Sequence, residues 1–181
     1  MKDIILDDSI MGKLVYEGHS WSKLDLIKYN FNGEMKSITI EINILDEKAT
    51  EYELGIGDWK KDDFDDYELR KYEEYKEQVK FMYKRYIVKF EETIKLVEKI
   101  MKKDYENFIE KIPKKESMKR IGKEHYESIS KDVNNIFKLI ELDRVIIFDK
   151  RIAIIGTCEW YVIRDLKINL CQDGTYNITI Y

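Results

Sequence analysis

Three side chains that could take part in catalysis stand together near the C terminus, in the order Cys158, Glu159, Trp160. A cysteine nucleophile is usually activated by a histidine that removes the thiol proton. The chain contains only two histidines, His19 and His125, and neither lies in a sequence signature of a cysteine hydrolase. We therefore expect Cys158 to be an unreactive residue at a buried strand end, with Trp160 packed on the core, and we predict no catalytic residue.

Metal and cofactor sites are not predicted either. The histidines and cysteines are widely spaced, without a CxxC or HExxH pattern. The glycine pair at Gly55 and Gly57 is not followed by the further residues that would complete a phosphate-binding loop. Cys158 and Cys171 are interpreted as reduced core residues on neighbouring strands, not as a disulfide.

An acidic segment between residues 58 and 68 is the main candidate for binding another protein. It is interpreted as a connection between a strand and a helix, in which six carboxylates surround two aromatic rings. It lacks the residue order of an EF-hand calcium loop. Aromatic residues amid acidic charge are typical of a surface that binds a basic partner. The predicted partner-binding residues are Asp58, Trp59, Asp62, Asp63, Phe64, Asp65 and Asp66.

Two alternatives concern this segment. The two rings could instead be tucked under a solvated acidic loop, and the sequence favours neither arrangement. If the acidic segment does not bind, the tyrosine-rich helix face at 72–86 is the next surface to consider, because tyrosine is favoured in binding hot spots.

Composition excludes several classes of partner. The chain has 181 residues, with 32 basic and 36 acidic side chains and a net charge of -4, which does not favour nucleic acid as a ligand. No run approaches the ~18 apolar residues of a membrane span. The first residues lack the apolar stretch of a signal peptide. We expect a cytoplasmic protein with a single domain over residues 1–181.

The pattern of apolar residues predicts an α+β fold, because strands precede and follow a helical region. We expect an antiparallel sheet from the N- and C-terminal strands, packed with a central helical hairpin and a third short helix. The hairpin signal Asn32–Gly33 separates two of the strands, and the helical region breaks near Arg85–Val88 and ends at Pro113. Ser128 or Ser130 is expected to cap the third helix. The predicted strands are 13–17, 23–31, 35–44, 144–148, 151–158, 165–171 and 175–180, and the two long helices lie within 69–112.

The C-terminal motif resembles a known group of proteins. Gly156, Cys158, Glu159 and Trp160 follow one another at a strand end, and a further strand and a glycine-containing turn come after them. This order is similar to that of uncharacterised bacterial domains of the immunity type, found in polymorphic-toxin gene neighbourhoods. The N-terminal half is also similar, since Trp21 precedes a strand. The resemblance implies that the motif is a fold signature and that the protein neutralises a toxin by binding.

The leading hypothesis is therefore a non-catalytic protein-binding domain, an immunity protein that covers the active surface of a cognate toxin. One alternative is a small enzyme that uses the acidic segment or Cys158. Another is a structural domain in which the helices of 69–112 pair with a second copy to form a homodimer.

Overall fold

The computed structural model describes residues 4–16, 21–23, 26–43, 61–161 and 165–180, of which positions 4, 16, 61–69, 71 and 180 are described by their backbone alone. Strands precede and follow the helical region in sequence, so the α+β prediction is confirmed. The elements are β1 (Ile4–Asp8), β2 (Gly12–Tyr16), β3 (Trp21–Lys23), β4 (Ile27–Phe31), β5 (Glu34–Ile42), α1 (Lys61–Tyr86), α2 (Phe90–Lys111), α3 (Lys114–Ile121), α4 (Lys123–Lys131), a 3₁₀ helix (Val133–Leu139), β6 (Ile140–Ile147), β7 (Arg151–Cys158), β8 (Asp165–Cys171) and β9 (Tyr176–Ile180).

The strands form one mostly antiparallel sheet. Its order is β1-β2-β3-β5-β6-β7-β8-β9, and β4 pairs with the first part of β5. The exception to the antiparallel pattern is the pair β5–β6, which is parallel. Parallel neighbours need a long crossover connection, and here the whole helical region lies between the two strands in sequence. The N- and C-terminal strands therefore join at β5–β6.

The first hairpin follows from two residues with left-handed backbone. Asn32 has φ 51° and Gly33 has φ 86°, as a type I′ turn requires. Beyond the turn, Ile38, Ile40 and Ile42 are all buried, because alternate residues of a strand face the same side of the sheet. These predictions are confirmed.

The helical region breaks where it was expected to break. Helix α1 ends at Tyr86 and α2 begins at Phe90. The Thr93 hydroxyl donates a hydrogen bond of 2.6 Å to the Tyr86 carbonyl, which stabilises the connection. Helix α2 ends at Lys111, and Pro113 precedes α3. None of the described helices is both long enough and apolar enough to span a bilayer.

Two local predictions are wrong, and one strand was missed. The segment after Pro113 forms two short helices and a 3₁₀ helix. The 3₁₀ helix is capped by Asp132 and not by Ser128 or Ser130. The Asp132 carboxylate accepts a hydrogen bond of 2.9 Å from the Asn134 N–H. The strand predicted at 23–31 is split into β3 and β4, which pair with different parts of β5. Strand β1 was not predicted, because its two aspartates interrupt the apolar pattern.

The sheet curves around α1. Lys80 of this helix lies 2.9 Å from the Asp8 carboxylate in β1, and the Tyr86 hydroxyl donates a 2.6 Å hydrogen bond to the Cys171 carbonyl in β8. These two helix positions are about 9 Å apart along the axis. In a flat sheet β1 and β8 would be six strand spacings apart, about 29 Å. Because one helix contacts both strands within two turns, the sheet must be strongly curved.

Candidate binding surfaces

The Cys–Glu–Trp motif connects the end of β7 to α2. Cys158 is the last residue of β7 and is fully buried, as is Trp160. The Trp160 Nε1–H donates a 3.0 Å hydrogen bond to Asp104 Oδ2, and the Tyr161 hydroxyl donates to the same oxygen. The Trp160 ring packs edge-on against Tyr105, with 5.3 Å between ring centroids. The predicted strand end with a packed tryptophan is therefore confirmed.

Burial makes Cys158 a poor nucleophile. Loss of solvation raises the pKa of its thiol, and the nearby carboxylates of Asp104 and Glu159 raise it further. Backbone N–H groups of Trp160 and Tyr161 oppose this change, but burial outweighs them. The thiol therefore stays protonated at neutral pH and out of contact with solvent.

The two cysteines are too far apart to form a disulfide, and both are free. Cys171 lies opposite Arg151 at the start of β7, whereas Cys158 lies at the end of that strand. The seven residue steps between these two positions correspond to about 23 Å along β7, far more than a disulfide spans.

The acidic segment is largely helical. Asp58 and Trp59 lie outside the described residues, whereas α1 begins at Lys61. The interpretation of residues 61–68 as a connecting loop is therefore wrong. Carboxylates are stabilised at a helix N terminus by the helix dipole, which explains why an acidic stretch can open a helix. The first two turns of α1 contain Asp62, Asp63, Phe64, Asp65 and Asp66.

The tyrosine-rich face at 72–86 is not a surface. Tyr72, Tyr83 and Tyr86 are all buried against the sheet. The Tyr72 ring packs on Trp21 of β3, with 5.3 Å between centroids. These rings belong to the core, so the prediction of a second binding face here is wrong.

A concavity that was not predicted lies on the sheet face away from α1. It has a volume of about 470 Å³ and is lined by residues of β6, β7 and β8. A β-bulge between Leu142 and Arg144 shifts the register of β6 against β7. Opposite the bulge stands Gly156, where an added Cβ would lie 2.0 Å from the Glu141 carbonyl oxygen. The close approach of the two backbones therefore requires glycine at this position.

Charges of both signs line this concavity. Arg144 Nη1 lies 3.3 Å from Glu41 Oε1, and its Nε lies 3.7 Å from Asp143 Oδ2. Such partly exposed pairs stabilise the fold little, but they hold charges of both signs at fixed positions on this face of the sheet. The sequence signals that could have revealed this surface are a glycine inside a strand and the charged alternate positions of the flanking strands. The lining residues are Glu141, Asp143, Arg144, Ile155, Gly156, Thr157, Asp165, Leu166 and Lys167.

No metal-binding cluster of three or more histidine, cysteine or acidic side chains occurs in the described part of the chain. Comparisons of the whole chain with protein-family models, with curated proteins and with solved structures found no match.

Proposed function

We propose that the chain is a non-catalytic, cytoplasmic protein-binding domain, an immunity protein that neutralises a cognate bacterial toxin by covering its active surface. The observation that supports this most directly is the position of the acidic residues at the start of α1. Among the described side chains, Tyr72 is the first buried residue of this helix. The acidic turns therefore precede the first buried side chain that the structure describes in α1.

The negative charge of this segment can promote binding to a basic partner. Carboxylates concentrated on one end of a helix attract a basic surface and increase the rate of encounter. The chain as a whole has a net charge of -4, so the acidic end adds to a general attraction for basic partners. Screening by salt reduces this gain once the ionic strength shortens the Debye length to about 10 Å or less.

The resemblance at Gly156, Cys158 and Trp160 supports the same proposal. Each of these residues has a structural role: Gly156 allows the close strand approach, Cys158 fills the core and Trp160 packs on α2. A motif of this kind fits a shared fold, as the immunity-type resemblance implies. The alternative of a thiol enzyme is less well supported, because Cys158 is buried and its pKa is raised.

The test is a charge reversal at the start of α1. Asp62, Asp63, Asp65 and Asp66 are changed together to lysine, and the variant is co-expressed with the toxin candidate encoded by the neighbouring gene. We expect loss of protection and a slower association at low salt. A matched control applies the same change of charge to four exposed glutamates on α2 and α4: Glu106, Glu110, Glu124 and Glu127.

Two outcomes are informative. If the α1 variant loses protection and the control keeps it, the acidic end is part of the interface. If both variants protect fully and both associate at the wild-type rate, the acidic end is not used, and the proposal fails for this surface. Reversal of Arg144 to glutamate in the concavity then tests the remaining candidate surface. Circular dichroism on each variant excludes unfolding as the cause.

A further inference from the structure

The two outer strands of the sheet differ in how they are protected from pairing with other chains. Strand β1 carries Asp7 and Asp8 at its end, and charged residues of this kind discourage edge-to-edge association. Strand β9 reads Tyr-Asn-Ile-Thr-Ile and has no charge, proline or glycine. Among the described residues, no strand pairs with the free side of β9. Within the described part of the chain, this edge therefore lacks the usual devices that block association.

The backbone groups on that free side can be identified from the hairpin β8–β9. The Cys171 N–H donates to the Thr175 carbonyl at 2.9 Å, which makes this a hydrogen-bonded pair. In an antiparallel ladder such pairs recur at every second residue, so Asn177 and Thr179 direct their backbone groups to β8. The N–H and C=O groups of Tyr176, Ile178 and Ile180 therefore point to the open edge.

We propose that β9 pairs antiparallel with β9 of a second copy of this chain, about a two-fold axis at Ile178. In this register Ile178 lies opposite its own copy, and Tyr176 lies opposite Ile180. All three outward-facing residues of each strand then form hydrogen-bonded pairs. Two N–H···O bonds form at each of three residue pairs, so the arrangement satisfies six backbone hydrogen bonds.

The side chains favour a second copy over an unrelated strand. Tyr176, with 42% of its surface exposed, and the half-buried Ile178 lie on the helix side of the sheet. The two-fold register places isoleucine against isoleucine and tyrosine against isoleucine, and both are favourable cross-strand pairs. On the other side Asn177 meets Thr179 of the second copy, so two uncharged polar residues face each other. The strand is thus complementary to itself on both faces.

The interface is small. A pair of five-residue strands buries less area than the ~1,200 Å² of a stable complex, so we expect a weak dimer. This association is independent of the proposed toxin binding, which uses the start of α1 and requires no second copy. Sedimentation of the full chain over a concentration series measures it directly, without any toxin.

A pair of charge variants tests the register. In the variant Asn177→Lys with Thr179→Lys, each lysine lies directly opposite a lysine of the second copy. In Asn177→Lys with Thr179→Glu, each lysine lies opposite a glutamate. Both variants lose the 2.8 Å hydrogen bond between Asn169 and Asn177, so this loss cancels in the comparison. We expect the dimer dissociation constant of the Lys/Lys variant to be about tenfold or more above that of the Lys/Glu variant.

A third variant addresses the backbone. Ile178→Pro removes an N–H that points away from β8, so the hairpin keeps its own hydrogen bonds while the dimer loses two, and proline is tolerated at a sheet edge. We expect this variant to be folded and monomeric. A wild-type protein that stays monomeric at the highest concentration overturns the proposal. So does a dimer whose dissociation constant is the same in both charge variants and in the proline variant, since it must then use another surface.

Discussion

Replacing Gly156 by alanine should destabilise the protein through a clash between backbones. The new Cβ would lie 2.0 Å from the Glu141 carbonyl oxygen and 3.1 Å from the Leu142 Cα. Both atoms belong to the main chain of β6, so no side chain can rotate away. The strands must separate by roughly 1 Å in a closely packed region. We expect the free energy of unfolding to fall by about 3 kcal/mol or more.

Gly33→Ala is a suitable control, because it changes another glycine for a different reason. An added Cβ at Gly33 meets no atom within 4 Å, but the residue has φ +86°. The Gly33→Ala substitution should therefore lower the free energy of unfolding through backbone conformation alone, by about 1–2 kcal/mol. Urea unfolding measures both variants, and melting should show a loss of about 6–12 °C for Gly156→Ala in a chain of this size. If Gly156→Ala costs no more than Gly33→Ala, the two strands separate easily and the argument from close approach is refuted.

Two further predictions concern buried groups. A thiol reagent should label the half-buried Cys171 first and Cys158 only as the protein unfolds. The substitution Cys158→Ala should lower the free energy of unfolding by about 1–2 kcal/mol. Rapid labelling of Cys158 in the native protein would contradict its burial. Burial raises the pKa of Tyr29 to about 12. Between about pH 10 and 12 the phenol therefore keeps its proton in the folded protein and loses it in the unfolded chain. The stability of the fold should consequently fall as pH rises through that range. Among the described residues the buried Tyr29 hydroxyl has no hydrogen-bond partner, so Tyr29→Phe should leave stability at pH 7 unchanged or raise it by up to about 1 kcal/mol. The variant should also lose less stability than the wild type at alkaline pH, as measured by urea unfolding.

The parts of the fold that could be predicted from sequence are those with a local cause. Strands β7 and β8 have the predicted bounds, because turns flank each apolar run. The break between α1 and α2 follows from length, since a single helix over that region would exceed about 60 Å. In both cases a short stretch of sequence and one physical limit are sufficient.

The features that sequence reasoning missed depend on distant contacts. The parallel pairing of β5 with β6 joins strands on either side of the helical region. The concavity needs a bulge in β6 at the point where β7 carries Gly156, and neither strand alone specifies it. The curvature of the sheet appears only when the contacts of Lys80 and Tyr86 are taken together.

The helical form of the acidic segment changes how its residues are arranged relative to one another. In a loop, the aromatic and acidic side chains could act as one mixed patch. In α1, the buried positions Tyr72, Val79 and Tyr86 are spaced about two turns apart. The same seven-residue spacing, continued backwards from Tyr72, reaches position 65.

Position 65 therefore falls in line with the buried positions of α1, whereas position 64 lies about 100° away from it around the helix axis. With about 100° of rotation per residue, positions 62 to 66 are distributed around the axis and do not share one face. Both arrangements that the sequence left open for the aromatic rings therefore stay predictions. Under the proposed function, the toxin would meet the acidic end of a helix and not a connecting loop.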